Sequence, residues 1–150
     1  MNQTTESKIA YFCMEYGLSE SLPIYSGGLG VLAGDIMKAA KDSEHNLVGI
    51  GVMWDEGYTV QRTDAEGRVY DTWEKTPRSA LRDLEVSFEI SIAGETIPLQ
   101  AFAVEGFGNT ELYLMEPKLE KHREMTRRLY CGQGKSRIAQ EMILGMGGVR

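Results

Sequence analysis

The feature that most constrains the fold is a glycine-rich stretch between an apolar segment and an amphipathic one. Gly27, Gly28 and Gly30 follow Ser26, a residue type that caps helices. Upstream, residues 9–14 are apolar and rich in aromatic and branched side chains, which predicts a parallel strand buried on both faces. Downstream, the helical spacing of apolar residues predicts a helix whose buried face comprises Leu29, Leu32, Ala33, Ile36, Met37 and Ala40.

A second apolar run, residues 47–53, follows a polar break and predicts another buried strand. Strand, helix and strand in this order form a β-α-β unit, whose crossover should be right-handed and whose strands should be parallel. Glu15 and Tyr16 follow the first strand, at the carboxyl edge of the predicted sheet. Ligands of open α/β sheets bind in the crevice at that edge. The sequence therefore predicts an α/β fold with a site near the glycines.

The rest of the chain predicts an antiparallel insertion and a helical end. A hairpin is expected around residues 58–70, and clean alternation at residues 86–92 indicates a strand with one wet face. Returning strands are expected at residues 97–101 and 112–115, and a further helix near Ala139. We accordingly divide the chain into a β-α-β core (8–63), an antiparallel insertion (about 64–116) and a helical segment (about 117–150).

The glycines allow two interpretations. Backbone N–H groups at the start of a helix lack intrahelical acceptors and carry a partial positive charge, so they suit a phosphate. Alternatively, Gly27, Gly28 and Gly30 only let a helix turn tightly onto a sheet. The spacing matches neither the dinucleotide motif nor the P-loop. The pattern alone leaves both interpretations open.

Composition narrows the partners. The net charge of −6 and the pI near 5.0 argue against nucleic acid and anionic membranes as principal partners. No apolar stretch is long enough to span a bilayer, and we expect a cytoplasmic protein with no disulfide between Cys13 and Cys131. His45 and His122 have no partner at ligand spacing, so we expect no metal site. The basic residues between 118 and 137 are interpreted as solvated surface with helical ion pairs.

Two stretches carry a family resemblance: residues 8–18, KIAYFCMEYGL, and residues 20–35, ESLPIYSGGLGVLAGD. They resemble the N-terminal motif of the α-glucan (glycogen, starch or maltodextrin) phosphorylases, most closely the shorter bacterial and archaeal branch. Residues 48–51, 57–62 and 140–150 continue the match in order, whereas the middle, from about 64 to 133, matches loosely. The resemblance thus covers the chain from Lys8 to Arg150.

The resemblance implies the Rossmann-like N-terminal domain of a GT-B glycosyltransferase. Such enzymes use pyridoxal phosphate and transfer the terminal α-1,4-glucosyl unit of a glucan to inorganic phosphate, giving glucose 1-phosphate with retention. By position in the motif, Gly27, Gly28, Leu29 and Gly30 match the loop that faces the reacting phosphate. Glu15, Tyr16 and Gly17 match the segment that lines the cofactor side of the cleft.

The motif whose lysine holds the cofactor has no counterpart in these 150 residues. We therefore expect the C-terminal cofactor domain to be absent, the catalytic set to be incomplete and the isolated chain to be inactive. Another GT-B enzyme, such as a glycogen or starch synthase, is an alternative, although those enzymes have a lysine shortly before the glycines and this chain has Ile24, Tyr25 and Ser26. A non-catalytic sugar- or phosphate-binding module, and a homo-oligomer, also remain open.

Overall fold

The structure, a computed structural model, describes residues 7–150, so most of the polar leader expected at residues 1–7 lies outside the described residues. The described part contains seven strands and two α-helices. In chain order these are β1 (Ile9–Phe12), α1 (Gly28–Asp42), β2 (Leu47–Val52), β3 (Val60–Thr63), β4 (Val69–Thr72), β5 (Leu81–Ile92), β6 (Glu95–Val104), β7 (Leu112–Pro117) and α2 (Lys135–Met142). A 3₁₀ helix (Glu120–Thr126) precedes α2, and a π-helical turn (Ile143–Gly147) follows it.

Five strands form one mixed sheet in the order β1-β2-β7-β6-β5. β1 pairs parallel with β2, and β2 pairs parallel with β7; β7 then pairs antiparallel with β6, and β6 with β5. β3 and β4 form a separate antiparallel hairpin. The predicted α/β class is confirmed, and β7 joins the parallel part of the sheet to the antiparallel part.

The predicted β-α-β unit is also confirmed, and two glycines of β2 explain how closely its layers approach. A Cβ atom on Gly49 would lie 2.6 Å from the Met37 side chain of α1. A Cβ atom on Gly51 would lie 2.9 Å from the Tyr16 ring. Because real Cβ atoms do not come this close to other atoms, a side chain at either position would force its neighbours to shift, and glycine allows the close packing seen here.

The opposite face of the sheet is covered by the C-terminal segment. A Cβ atom on Gly148 would lie within 2.6 Å of Phe12 and Ile50, and one on Gly147 would lie 2.8 Å from Leu99. The π-helical turn therefore packs directly on the strands. None of the helices in residues 7–150 combines the length and the apolar character needed to cross a bilayer.

The expectation that β1 is buried on both faces is wrong. Ile9 is 61% exposed and Phe12 is 37% exposed. Within the described residues β1 has one neighbour, β2, so it is an edge strand and its outer side lies open. An apolar run indicates that a strand can be buried, but it does not indicate whether residues of the same chain segment cover both faces of that strand.

The predicted buried face of α1 is also wrong in part. Leu29 is 51% exposed and Leu32 is 55% exposed. The buried face is instead made of small residues and one methionine: Gly30, Ala33, Gly34, Met37 and Ala40. The cause is the chain at Gly17, whose N–H donates to the Gly30 carbonyl (2.7 Å) and whose own carbonyl oxygen would lie 2.2 Å from a Cβ on Gly34. This crossing turns the glycine face of the helix inward.

Candidate functional site

The site lies where the loop after β1 meets the first turn of α1. The helix begins at Gly28, and its N-cap is Gly27, with no side-chain cap. The prediction that Ser26 caps the helix is therefore wrong. The Ser26 hydroxyl lies 3.1 Å from a carboxylate oxygen of Glu15, and its N–H donates to the same oxygen at 2.5 Å. Ser26 therefore supplies hydrogen-bond donors to the buried Glu15 carboxylate and not to the start of the helix.

Glu15 is the centre of the loop's hydrogen-bond network. Glu15 is only 2% exposed. Oε2 accepts from the Ser26 N–H and from the Gly27 N–H (3.3 Å), while Oε1 accepts from the Tyr130 hydroxyl (2.7 Å) and lies 3.3 Å from the Ser26 hydroxyl. All of these donors are uncharged. A buried carboxylate is tolerated when several donors replace its hydration, as they do here.

Three amides of the helix start lack an acceptor, and two of them belong to exposed residues. Within residues 7–150, no acceptor contacts the N–H groups of Gly28, Leu29 and Gly30, and the first helical bond runs from the Val31 N–H to the Gly27 carbonyl (3.1 Å). Gly28 and Leu29 are exposed, whereas Gly30 is buried. The exposed start of α1 therefore carries unpaired donors and the positive end of the helix dipole. This arrangement suits an oxyanion.

Two other residues predicted for the site, Gly30 and Tyr16, are buried and contact the protein itself. Gly30 is buried, and a Cβ atom there would lie 2.7 Å from a Glu15 oxygen, so this glycine makes room for the carboxylate. Tyr16 is 1% exposed, and its hydroxyl donates to the backbone carbonyls of Tyr11 (2.7 Å) and Ile50 (3.0 Å). The structure thus brings Glu15, Gly27 and Gly28 together at the loop and turns the Tyr16 side chain into the core.

Tyr130 is a site residue that the sequence reasoning missed. Its hydroxyl reaches Glu15 across 115 positions of sequence, and its ring lies under the Arg137 guanidinium at 4.8 Å. Burial, followed by the hydrogen bond to Glu15, raises the pKa of its phenol above the usual range, so the hydroxyl stays a donor. It lies in the loosely matching middle of the chain, and no spacing or motif marks it.

A cleft of about 280 Å³ adjoins the loop. It shares Tyr25 and Ser26 with the glycine stretch, and Tyr58 and Thr59 line another part of its wall. The Thr59 hydroxyl oxygen is buried without a hydrogen-bond partner in the described part of the chain. Aromatic rings next to hydroxyl groups are a lining that suits polar ligands with apolar faces, such as sugars.

The basic segment forms ion pairs rather than an anion site. Arg127 and Arg128 both contact the Glu56 carboxylate, at 3.2 and 2.6 Å. Burial alone would raise the pKa of Glu56, but the hydrogen bonds from Arg128 and Arg127 outweigh it and hold this pKa below its ordinary value. Arg137 and Glu141 form the expected i,i+4 pair. Among the described residues, no group of three or more His, Cys, Asp and Glu side chains is placed to hold a metal ion.

Comparison with known proteins finds similar phosphorylases. No family model matches the chain. The maltodextrin phosphorylase of Thermococcus litoralis is 35% identical over 97% of the chain, and the glycogen phosphorylases of Mycobacterium tuberculosis (strain H37Rv) and Aquifex aeolicus are each 34% identical, over 99% and 97% of it. The chain covers 19%, 18% and 23% of these proteins, so it spans about a fifth of their length. The identity extends over nearly the whole chain, so the sequence is similar along its length to about a fifth of each of these maltodextrin and glycogen phosphorylases.

Proposed function

We propose that the chain is the N-terminal part of an α-glucan phosphorylase of the GT-B architecture. The parent enzyme transfers the terminal α-1,4-glucosyl unit of a glucan to inorganic phosphate, and this segment supplies the phosphate-facing loop. The observation that carries the proposal is the pair of amides at Gly28 and Leu29, which have no acceptor among the described residues and belong to exposed residues at the start of α1. Their position within a stretch homologous to phosphorylases supports phosphate as the guest.

In this proposal the two amides donate to phosphate oxygens and offset negative charge as it develops during glucosyl transfer. Donors fixed in advance by a folded backbone need no reorganisation during reaction, and each is worth about 3 kcal/mol in comparable sites. Helix α1 adds the positive end of its dipole. The aromatic cleft beside Ser26 supports a sugar approaching from the same side, because Gly28 is only two residues, or about 7.6 Å of Cα trace, from the cleft wall.

The residues of this chain do not provide the attachment site for pyridoxal phosphate. When bound to a lysine in the parent enzyme, the cofactor supplies a phosphate group that exchanges a proton with the substrate phosphate. Four of the seven lysines have other partners: Lys38 donates to the Leu18 carbonyl, and Lys8, Lys75 and Lys121 pair with carboxylates. Since the Tyr16 side chain is also turned into the core, we propose that another part of the parent enzyme holds the cofactor.

We further infer a cytoplasmic enzyme, since both cysteines are free thiols in the structure. The domain boundaries stated from the sequence stay part of the proposal: the core at 8–63, the insertion at about 64–116 and the helical segment at about 117–150. The isolated chain should be inactive, because it contains half of a phosphate site and no cofactor lysine.

The test compares substrates on the complete protein that contains this sequence. Incubation with maltodextrin and inorganic phosphate should release glucose 1-phosphate, whereas an ADP-sugar should remain unconsumed. Consumption of the ADP-sugar instead would replace the proposal with a glycogen or starch synthase. If neither substrate is consumed and calorimetry of the 150-residue chain shows phosphate or maltooligosaccharide binding, the chain is a binding module and the proposal is wrong.

A further inference from the structure

The Glu15 carboxylate joins three separate parts of the chain: the end of β1, the glycine loop and the segment before α2. We propose that Glu15 is a positioning residue, which holds the loop so that the Gly28 and Leu29 amides face the phosphate, and that Tyr130 fixes the carboxylate from the other side. This inference rests on the proposed function for the identity of the guest. Its geometric part concerns the loop alone.

The two carboxylate oxygens of Glu15 accept hydrogen bonds from different donors. Oε2 takes the N–H groups of Ser26 and Gly27, the last two amides before the helix. Fixing these two peptide units constrains the next two, whose N–H groups have no acceptor among the described residues. Gly30 permits this geometry, because any Cβ there would lie 2.7 Å from the same oxygen.

The arrangement also sets which amides an anion reaches. The Ser26 and Gly27 amides are already occupied by a carboxylate that is shielded from solvent. A phosphate at the loop therefore uses the next donors, Gly28 and Leu29, and not the earlier ones. Without Glu15, four successive amides would compete for the anion and its position would no longer be defined.

Tyr130 couples the loop to the C-terminal segment. Its hydroxyl donates to Oε1 at 2.7 Å, and its backbone has a positive φ of 58° that places the ring toward Glu15. The buried Gln140 amide holds the neighbouring Arg128 carbonyl at 3.2 Å and so anchors this turn to α2. Loss of the Tyr130 hydroxyl would leave the Ser26 hydroxyl as the remaining donor to Oε1 among the described residues.

The first experiment measures amide exchange by NMR on the 150-residue chain and needs no activity. In Glu15→Ala the exchange rates of the Ser26 and Gly27 amides should rise about tenfold or more, while the amide of Met37 in the helix interior keeps its rate. Glu15→Gln should restore most of the protection, because its carboxamide oxygen still accepts from the loop. Unchanged exchange in Glu15→Ala, or no rescue by Glu15→Gln, overturns the inference.

The second experiment separates substrates in the complete enzyme. Glu15→Ala should raise the KM for phosphate about tenfold and Tyr130→Phe about threefold, with the KM for maltodextrin within about twofold of the parent. Glu116→Gln is the matched control: Glu116 is 1% exposed, and its hydrogen bonds come from Arg78 and Gln100 and not from the loop, so its loss should lower the melting temperature and leave both KM values unchanged.

The two experiments separate the possible failures. If Glu15→Ala does not fold, Tyr130→Phe carries both measurements, since it removes a single hydroxyl. Equal changes in both KM values would assign Glu15 a merely structural role and overturn the inference. If the complete protein makes no glucose 1-phosphate but the loop amides lose protection as expected, the proposed function fails and the positioning of the loop by Glu15 stands.

Discussion

At the scale of single residues, the glycines around the start of α1 divide by what surrounds them. Gly27 and Gly28 face open space, whereas Gly30 and Gly34 are enclosed by Glu15, Tyr25 and the chain at Gly17. The sequence shows the same residue type in all four places. Tight packing therefore accounts for Gly30 and Gly34, whereas the proposed anion site involves Gly27 and Gly28. Substitution by alanine distinguishes them.

Gly28→Ala should leave the fold intact and weaken phosphate use. A Cβ atom at Gly28 meets nothing within 4 Å, and alanine is favoured over glycine in a helix by about 0.5–1 kcal/mol, so urea denaturation should show equal or higher stability. The added methyl group stands beside the bare amides, so the KM for phosphate should rise. Gly145→Ala, equally open and distant in sequence, is the control. An unchanged KM in Gly28→Ala would place the anion elsewhere.

Gly34→Ala should have the opposite character. Its Cβ would lie 2.2 Å from the carbonyl oxygen and 2.7 Å from the carbonyl carbon of Gly17, which are backbone atoms without a rotamer to change. Overpacking of this kind costs about 1–3 kcal/mol in the free energy of unfolding. Urea midpoints of the two variants measure the difference. Stability of Gly34→Ala equal to that of Gly28→Ala would mean that the crossing at Gly17 is loose.

The exposed Glu95 carboxylate should contribute to acid sensitivity. The hydrogen bond with His122 (2.8 Å), then that with Lys121 (2.9 Å), lowers its pKa to about 2. Since its pKa in the unfolded chain is higher, about 4.3, its contribution to stability is complete above that value and is lost as the pH falls toward 2. Urea midpoints between about pH 5 and pH 2.5 should fall less steeply in Glu95→Gln than in the parent chain. Parallel curves would show that solvent screens the pair fully.

At the scale of elements, the alternation of apolar residues predicted the buried face of a strand better than helical spacing predicted the buried face of a helix. Phe88, Ile90 and Ile92 alternate in the sequence, and Ile90 and Ile92 are buried in β5 as expected. Val86 belongs to the same pattern but is 47% exposed, because a register shift between Asp83 and Ser87 turns that end of the strand. A bulge of this kind leaves no trace in the hydrophobic pattern.

Helix α1 shows a different limit of prediction. Hydrophobic periodicity assigns the buried face to the largest apolar residues, and Leu29 and Leu32 are large. The face that packs is decided by how closely neighbouring segments approach: a Cβ on Gly34 would collide with the Gly17 backbone, and one on Gly30 would collide with Tyr25 and Glu15. Periodicity therefore located the helix, while the orientation of the helix about its axis depended on a contact between residues 17 apart in sequence.

The turn between β5 and β6 offers an element that sequence changes should stabilise. Ile92 pairs with Glu95, so Ala93 and Gly94 form a two-residue loop, and their φ angles are +51° and +83°. Alanine is unfavourable in this left-handed region, whereas Asn-Gly is preferred in such turns. Ala93→Asn should raise the free energy of unfolding by about 0.5–1 kcal/mol, measured by urea denaturation. A lower midpoint would mean that the turn changes conformation in solution.

At the scale of the whole molecule, the most prominent feature is the exposed outer side of the edge strand β1. Ile9 on this edge strand is 61% exposed, and Leu32 on the neighbouring helix is 55% exposed. The sequence predicted a strand covered on both faces, whereas among the described residues β1 has β2 as its one neighbour in the sheet. β1 ends at Phe12, two residues before the end of the predicted strand, and the N-cap of α1 is Gly27, one residue after Ser26, so both boundaries were located to within two residues from residues adjacent in sequence. The contact of Glu15 with Tyr130 was not, since it depends on the complete topology.

The 150-residue chain should therefore self-associate through this edge. Sedimentation velocity at increasing concentration should show a rising average mass for the parent chain and a smaller rise for Ile9→Lys, because a lysine on an edge strand opposes pairing with another strand. Val69→Lys is the matched control, since Val69 is 64% exposed on the separate β3–β4 hairpin. A monomer at every concentration, or an equal effect of both lysines, would contradict this expectation.

The position of β7 between β2 and β6 also bears on how the chain acquires its structure. β5, β6 and β7 are consecutive hairpin partners, whereas the hydrogen bond from the Thr110 hydroxyl to the Leu47 carbonyl, beside the β2–β7 ladder, closes a loop of 63 residues. Because short loops close sooner than long ones, the meander should assemble first and the strand–helix–strand unit should dock onto it afterwards. During synthesis on the ribosome, the β1–α1–β2 unit would then remain unpaired with β7, its final neighbour in the sheet, until β7 has emerged.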